Sequence, residues 1–375
     1  MRLSDIATFV EEKVSSEDIS LSQYVTTDSL LQNKAGRTVA QNLPPQKCSL
    51  NSFKKGDVLL GNIRPYLKKI WYATIDGGCS QNVLVLRAKE NKDSSFLYAL
   101  LSQDSFFEYE MKATKGSKMP RGDKNHIMNF PCIYLKNKIG IGSFLSSLDE
   151  KIALNRHINA RLEQMAKRLY DYWFVQFDFP NSDGKPYKSS GRKMVYNAEL
   201  KREIPEGWEV KSFSDFFELG NGKDYRHLQS GKIPVYGSGG FMCGITDFLF
   251  DVESVLFPRK GTLNNIMYKN EKFWTVNTMF YSKMKIQHSA IYVYYTAKQF
   301  DFSSLNTGTG VPSMTSVIIK GLPIIQPPQK IIDNFDCIVQ SYYKKIHKNE
   351  QESAKLTALR DKFLPLLMNG QVEII

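Results

Sequence analysis

The side chains here that could do chemistry are arginines, lysines and hydroxyls set in glycine-rich loops. Gly116-Ser117-Lys118-Met119-Pro120 is flanked by Lys115, Arg121 and Lys124, and Gly308-Thr309-Gly310-Val311-Pro312 by Thr307, Ser313 and Thr315. Backbone amides in such loops, with hydroxyls and ammonium groups beside them, suit contact with phosphate oxygens. A plain structural turn is the competing reading. Arg64, Lys68 and Lys69 follow the strand-like Asp57-Val58-Leu59-Leu60, with Tyr66 and Trp71 interleaved, and Arg259 and Lys260 follow Ser254-Val255-Leu256-Phe257. An arginine there could donate two hydrogen bonds to O6 and N7 of a guanine. Lys223, Tyr225, Arg226 and His227 make a third basic, aromatic loop. Taken singly, each charge also reads as a solvated loop residue. The nucleic-acid-binding candidates are therefore Arg64, Lys68, Lys69, Lys115, Lys118, Arg121, Lys223, Arg226, Arg259, Lys260 and Thr309.

No catalytic set accompanies them. Five cysteines (Cys48, Cys79, Cys132, Cys243, Cys337) and five histidines (His126, His157, His227, His288, His347) are scattered, with no Cys-x-x-Cys or His-x-x-x-His pair to hold zinc. A Gly-x-x-x-x-Gly-Lys-Ser/Thr phosphate loop is missing. Gly237-Ser238-Gly239-Gly240 lacks dinucleotide-loop spacing and reads as a turn. Asn42-Leu43-Pro44-Pro45 only faintly resembles the Asn-Pro-Pro-aromatic motif of adenine methyltransferases, and Gln326-Pro327-Pro328 reads as a strand stop. No bound cofactor and no metal are expected, and the chain by itself reads as non-catalytic.

The candidate loops recur because the chain is built twice. Asp57–Leu60 is echoed by Ser254–Phe257 at an offset of 197, and Gly116–Pro120 by Gly308–Pro312 at 192. Pro131-Cys132-Ile133 matches Pro323-Ile324-Ile325, and Lys151-Ile152 matches Lys345-Ile346 at 194. In each half a region of short Val/Ile/Phe/Tyr runs precedes a long helical pattern. Val83–Leu86 and Ile291–Tyr295 read as strands. The helical patterns run from about Ser143 to Phe177 and from about Gln329 to Met368. Leu145, Leu148, Ile152, Asn155, Asn159, Leu162, Ala166, Leu169 and Trp173 alternate at spacings of three and four. So do Phe335, Ile338, Tyr342, Lys345, Asn349, Glu352, Leu356, Leu359, Phe363 and Leu366. That is coiled-coil periodicity. The expected pairing or partner seam is carried by Leu148, Ile152, Leu162, Leu169, Ile338, Leu356, Leu359 and Phe363, with polar positions fixing register.

The predicted organisation is α+β: two mixed, β-rich globular modules separated by two long antiparallel coiled-coil helices, as a pseudo-twofold repeat. The parsing is 1–142 for the first module, 143–178 for the first helix, 179–204 for a linker, 205–329 for the second module and 330–375 for the second helix. Trp208 reads as a core residue of the second module. Across 375 residues the net charge is +12. It divides as +6 on 1–142, 0 on 143–178, +5 on 179–329 and +1 on 330–375. Two basic modules on near-neutral helices suit a polyanion with two contact sites, such as duplex DNA. No apolar run approaches the roughly 18–20 residues of a membrane span. The opening Met1-Arg2-Leu3-Ser4-Asp5 has no apolar signal region behind it. A cytoplasmic protein is expected.

Several segments in order, Leu148–Ile152, Arg168–Phe174, Phe177-Asp178-Phe179, Gly184–Lys188, Ile204–Trp208, Ile233–Gly240 and Gly308–Pro312, resemble the DNA specificity (S) subunit of type I restriction-modification systems. The resemblance spans essentially the whole chain. It implies two target recognition domains, each reading one half of a split, asymmetric DNA site. It also implies paired helical spacers that set the gap between the halves. Double-stranded DNA, two methyltransferase (modification) subunits and ATP-dependent restriction subunits would be the partners. S-adenosylmethionine, ATP and Mg would then sit on those subunits, which direct adenine methylation and cleavage. The first module departs from the pattern: it has only Gly116-Ser117-Lys118-Met119-Pro120 and no Pro-Val-Tyr-Gly-Ser-Gly-Gly segment. The two modules are therefore expected to read unrelated half-sites. A scaffold or RNA-binding adaptor with basic modules on a helical rod is the alternative. A self-contained methyltransferase or nuclease would need motifs that the chain lacks.

Overall fold

The computed structural model describes all residues except 115–118, 134, 309 and 375. The chain divides into two compact units, one formed by Met1–His157 with Asn349–Ile375, the other by Ile158–Lys348.

In the first unit the elements are α1 (Leu3–Ile6), β1 (Ala7–Phe9), β2 (Lys13–Ser15), β3 (Tyr24–Val25), β4 (Ser49–Phe53), β5 (Val58–Gly61), β6 (Ile70–Tyr72), β7 (Gly77–Cys79) and β8 (Val83–Ala88). Then come α2 (Ser94–Leu101), α3 (Asp104–Met111), α4 (Lys124–Met128) and the long α5 (Lys138–Tyr170), which runs on into the second unit. An antiparallel sheet has the order β1-β8-β5-β6. A second sheet, β2-β4-β7-β3, includes a parallel β3–β7 pair. The unbroken apolar run Val83–Leu86 follows from burial on both faces. Leu84 and Leu86 enter one core with Val58, Leu60 and the α2 side chains, while Val83 and Val85 enter another with Leu59 and Phe53.

The second unit contains β9 (Met194–Asn197), β10 (Arg202–Pro205), β11 (Glu209–Ser212), α6 (Phe213–Phe216), β12 (Phe217–Asn221), β13 (Ser230–Gly237), β14 (Gly240–Ile245), β15 (Ser254–Pro258), β16 (Met267–Lys269), β17 (Trp274–Thr275) and β18 (Met279–Met284). They are followed by α7 (Ala290–Ala297), α8 (Ser316–Gly321), β19 (Pro323–Gln326) and α9 (Gln329–Met368), which returns to the first unit. Its main sheet, β12-β18-β15-β16, repeats the strand order of the first unit. Val255 and Phe257 face one core and Leu256 the other, as in β5. The second sheets have diverged. Here β14 adds to β13, which pairs in parallel with β17. That hairpin turns through Gly237-Ser238-Gly239-Gly240, with Gly237 opposite Gly240. It explains why the first module has no matching segment. Trp208 is buried against Phe179, ring centroids 4.8 Å apart.

Four expectations need correction. Ile291–Tyr295 is not a strand but the body of α7. The segment is buried almost all round, and for so short an apolar run the packing, not β-propensity, decides. The first long helix begins at Lys138, not 143. Gly140 and Gly142 look like breakers, but a Cβ at Gly142 would lie 2.6 Å from the Phe96 backbone nitrogen, so this glycine lets α5 pass close to α2. The 179–204 segment is also more than a linker. It carries the β9–β10 hairpin, and Tyr187, Met194 and Leu200 pack on the second unit's core.

The helix seams are the fourth correction. On α5, Leu145, Leu148, Ile152, Asn155 and Ala166 are buried, with Leu162 and Leu169 half-buried, as the spacing predicts. On α9, Phe335 and Asn349 are buried and Tyr342, Glu352, Leu356 and Phe363 half-buried, but Ile338, Lys345 and Leu359 are one position off. Val339 and Ile346 face inward, whereas Ile338 and Leu359 are 38% and 39% exposed. The inward residue beside Leu359 is Arg360, whose Nη1 lies 2.7 Å from Asp149 Oδ1. Choosing the apolar neighbour over a paired arginine misplaces the seam at Leu359. Within the first unit the helix segments run antiparallel, with Asp149 meeting Arg360 and Asn155 donating to Glu352 Oε2 at 2.8 Å. In the second unit, Tyr170 and Trp173 pack on Phe335.

Candidate nucleic-acid interface

In both units the strand leaving the main sheet runs directly beside the glycine-rich loop, so motifs about 55 residues apart in sequence meet. After β5 the chain continues Asn62-Ile63-Arg64-Pro65-Tyr66. Arg64 N–H donates to the Pro120 carbonyl at 2.8 Å, Gly122 N–H donates to the Asn62 carbonyl at 3.2 Å, and Ile63 pairs with Arg121. After β15 the chain continues Arg259-Lys260-Gly261. Gly261 N–H donates to the Pro312 carbonyl at 2.9 Å, Met314 N–H to the Arg259 carbonyl at 2.8 Å, and Lys260 pairs with Ser313. The same three backbone contacts thus build the same crossing twice.

In the first unit the crossing presents Arg64, Tyr66 and Arg121, all exposed. Lys68 and Lys69 are half-buried and occupied within the fold. Lys68 Nζ lies 2.8 Å from Asp104 Oδ1, which also takes Lys34 at 3.0 Å, while Lys69 Nζ donates to the Thr27 carbonyl. The Lys68 hydrogen bond, reinforced by Lys34, holds the Asp104 carboxyl below its usual range. The loop carrying Lys34 is tied on by Asn33 and Lys34 N–H groups, each 2.9 Å from the Leu67 and Lys68 carbonyls. Beside it Arg37 lies over the Trp71 ring at 4.3 Å and donates to the Ser22 carbonyl at 3.0 Å. Its burial lowers the guanidinium pKa. Lys115 and Lys118 lie outside the described residues.

In the second unit Arg259 and Lys260 are exposed, with the Arg259 guanidinium 5.7 Å from the Phe280 ring centroid. Their N–H groups donate to the Thr278 carbonyl at 2.8 and 3.2 Å. The strip that supplies Thr278 also anchors the third basic loop, because Lys223 N–H donates to the Thr275 carbonyl at 2.8 Å. Lys223 and Arg226 are exposed. Next to them opens a cleft of about 590 Å³ lined by Tyr225, Arg226, Ser238, Phe241, Met242 and Thr278. Phe241 is 67% exposed at its rim. Thr309 lies outside the described residues. The fold therefore assembles, in each unit, exposed arginine or lysine with an exposed or cleft-lining aromatic ring. That combination suits phosphate neutralisation together with stacking or base-edge contact.

Sequence reasoning missed what lies under the first crossing. Glu110 is fully buried on α3 and neither carboxyl oxygen has a hydrogen-bond partner; Asn62 Oδ1 is buried and unpartnered as well. A methyl built at Gly122 would sit 2.3 Å from Glu110 Oε1 and 2.9 Å from Asn62 Oδ1, so both acceptors converge there. Burial pushes the Glu110 carboxyl up to about 8. No signal in Phe107-Glu108-Tyr109-Glu110 separates this carboxylate from its exposed neighbour Glu108. Among the described residues no cluster of three or more His, Cys, Asp or Glu could hold a metal ion, and no helix is long and apolar enough to cross a membrane.

Comparison with known proteins agrees with this doubled architecture. The chain is 26% identical over 363 residues to the type I restriction enzyme MjaIX specificity subunit of Methanocaldococcus jannaschii, covering 88% of this chain and 80% of that one. It is 23% identical over 436 residues to the type I restriction enzyme HindI specificity subunit of Haemophilus influenzae, covering 93% and 94%. In fold it resembles the crystal structure of a type I restriction-modification S subunit from M. genitalium, with a TM-score of 0.64, 14% identity, and 100% and 96% coverage. The model of the type I restriction modification DNA specificity domain matches twice, at residues 1–164 and 205–358, one match for each copy of the crossing, and the chain belongs to that family.

Proposed function

We propose that this chain gives a type I restriction-modification assembly its DNA sequence specificity, each unit reading one half of a two-part, asymmetric duplex site. The observation that carries this reading is the duplicated crossing, which bears exposed basic side chains in both units of a family member. Arg121, Lys223, Arg226, Arg259 and Lys260 neutralise phosphates and provide a salt-dependent grip. A small number of polar and arginine contacts read base edges. Reading two halves through one chain makes the second contact intramolecular and raises affinity through effective concentration. The antiparallel helices serve as the spacer and as docking surfaces for two methyltransferase subunits. Adenine methylation, with S-adenosylmethionine, belongs to those subunits, and ATP-dependent cleavage to restriction subunits. The assembly works on DNA in the cytoplasm.

Methylome sequencing of a host expressing this chain with its methyltransferase partner tests the proposal. The expected outcome is one asymmetric, two-part adenine-methylated motif with a fixed gap, lost on deletion of the chain. Unchanged methylation on deletion refutes it and favours a scaffold.

A further inference from the structure

Seven non-glycine residues among those described have a positive φ, and four of them, Asn33, Lys34, Arg64 and Lys68, lie in the two loops that meet at the first unit's crossing. Left-handed backbone is unfavourable for an L-residue, and such strain persists only where surrounding structure enforces it. Arg64 has φ +54° and ψ +65° and stands immediately before Pro65, where steric contact with the proline ring further disfavours helical backbone. The second unit solves the same geometry without strain. There the residue whose N–H makes the equivalent hydrogen bond is Gly261, at φ +92°. The position demands a left-handed residue in both units, and only the first fills it with a large charged side chain.

No described residue uses that side chain. Lys34, Lys68 and Lys69 are taken up by Asp104 and the Thr27 carbonyl, and these contacts hold the loop. Arg64 is exposed and makes no side-chain hydrogen bond or ion pair with a described residue. Its backbone is fixed on both sides, by the Pro120 carbonyl and by the Leu67 N–H that donates to its own carbonyl at 2.9 Å. Buried Pro65 stiffens the step that follows. A rigid backbone that presents an unpaired guanidinium loses less freedom on binding than a mobile lysine does.

We infer that Arg64 is a specificity-determining residue of the first unit, reading a guanine through O6 and N7, and that the strained turn pre-orients it. This rests on the DNA-reading function proposed above and adds the base and the residue that reads it. Variants R64G and R64K, assembled with the methyltransferase partner, are compared with wild type for methylated motif on a randomised duplex library and for melting temperature. R64G is expected to melt a few degrees higher, since glycine relieves the strain. Both variants are expected to lose discrimination for guanine at one position of one half-site by roughly ten- to a hundred-fold, leaving the other half-site and the gap unchanged. A uniform loss across all sequences, removed by lowering salt, assigns Arg64 to a phosphate and overturns the inference. So does an unchanged motif in both variants. A wild-type assembly that methylates no two-part motif instead overturns the parent reading.

Discussion

Replacing Glu110 with glutamine should convert a pH-sensitive first unit into a pH-insensitive one. Glu110 is wholly buried, with two unpartnered oxygens next to the unpartnered Asn62 Oδ1. Burial moves its carboxyl from 4.5 up to about 8. The folded state therefore binds a proton that the unfolded chain has released between these values. Stability from this group is complete below the unfolded value and is lost as pH rises through the folded one. At 1.36 kcal/mol per pH unit, the loss approaches about 5 kcal/mol by pH 9. For a unit of this size that corresponds to a fall in melting temperature on the order of 10–20 °C. Glutamine keeps a donor that can serve Asn62 Oδ1 and carries no charge to bury. Thermal melts of the full chain and of E110Q, from pH 4 to pH 9, should converge at the low end, separate steadily from about pH 4.5 and level off above about pH 8, with the variant higher. Parallel curves would refute the reasoning, since they would mean that Glu110 stays ionised and solvated in the native state.

The helix pair gives two further predictions. Arg360→Leu leaves Asp149, whose carboxyl burial already raises, without its partner. It should cost about 3 kcal/mol in denaturant melts, and the double change D149L/R360L should recover most of that loss. L356E should destabilise the first unit by about 2 kcal/mol or more, because Leu356 is half-buried on the inward face. L359E should fall within about 0.5 kcal/mol of wild type, because Leu359 faces outward. Equal effects in urea titration would restore the seam that spacing alone suggests.

The doubled plan was legible because both copies must solve the same backbone problem. Asp57–Leu60 and Ser254–Phe257 enter equivalent strands, and the two glycine-rich loops meet them through equivalent hydrogen bonds. The α5 seam was legible too, since its apolar residues obey the spacing. On α9 the spacing placed Ile338, Lys345 and Leu359 inward, where the fold buries Val339, Ile346 and Arg360 more deeply. Arg360 occupies an inward position that hydrophobicity cannot reveal, because its partner Asp149 lies 211 residues away. Ile291–Tyr295 misled for the opposite reason: burial on every side removes the alternation that tells strand from helix. For the candidate site, residue type singled out Arg64, Arg121, Arg259 and Lys260. It could not separate Arg64, left exposed, from Lys68 and Lys69, already bound within the fold. Nor could it mark Glu110, whose burial exists only once α3 is packed under the crossing.

The first unit draws on both Met1–His157 and Asn349–Ile375, whereas the second is continuous. On a ribosome, the earlier-made module must therefore wait. Leu3, Phe106, Ile141 and Leu145 share a core with Leu364, Leu367 and Met368, so that core cannot close until more than 200 further residues have been made. The second unit has its whole sequence once Lys348 is out. At about 5–20 residues per second, the nascent first module carries an uncovered apolar patch for at least some ten seconds. The order of completion is thus inverted relative to the order of synthesis, and during that interval the uncovered apolar patch is open to self-association.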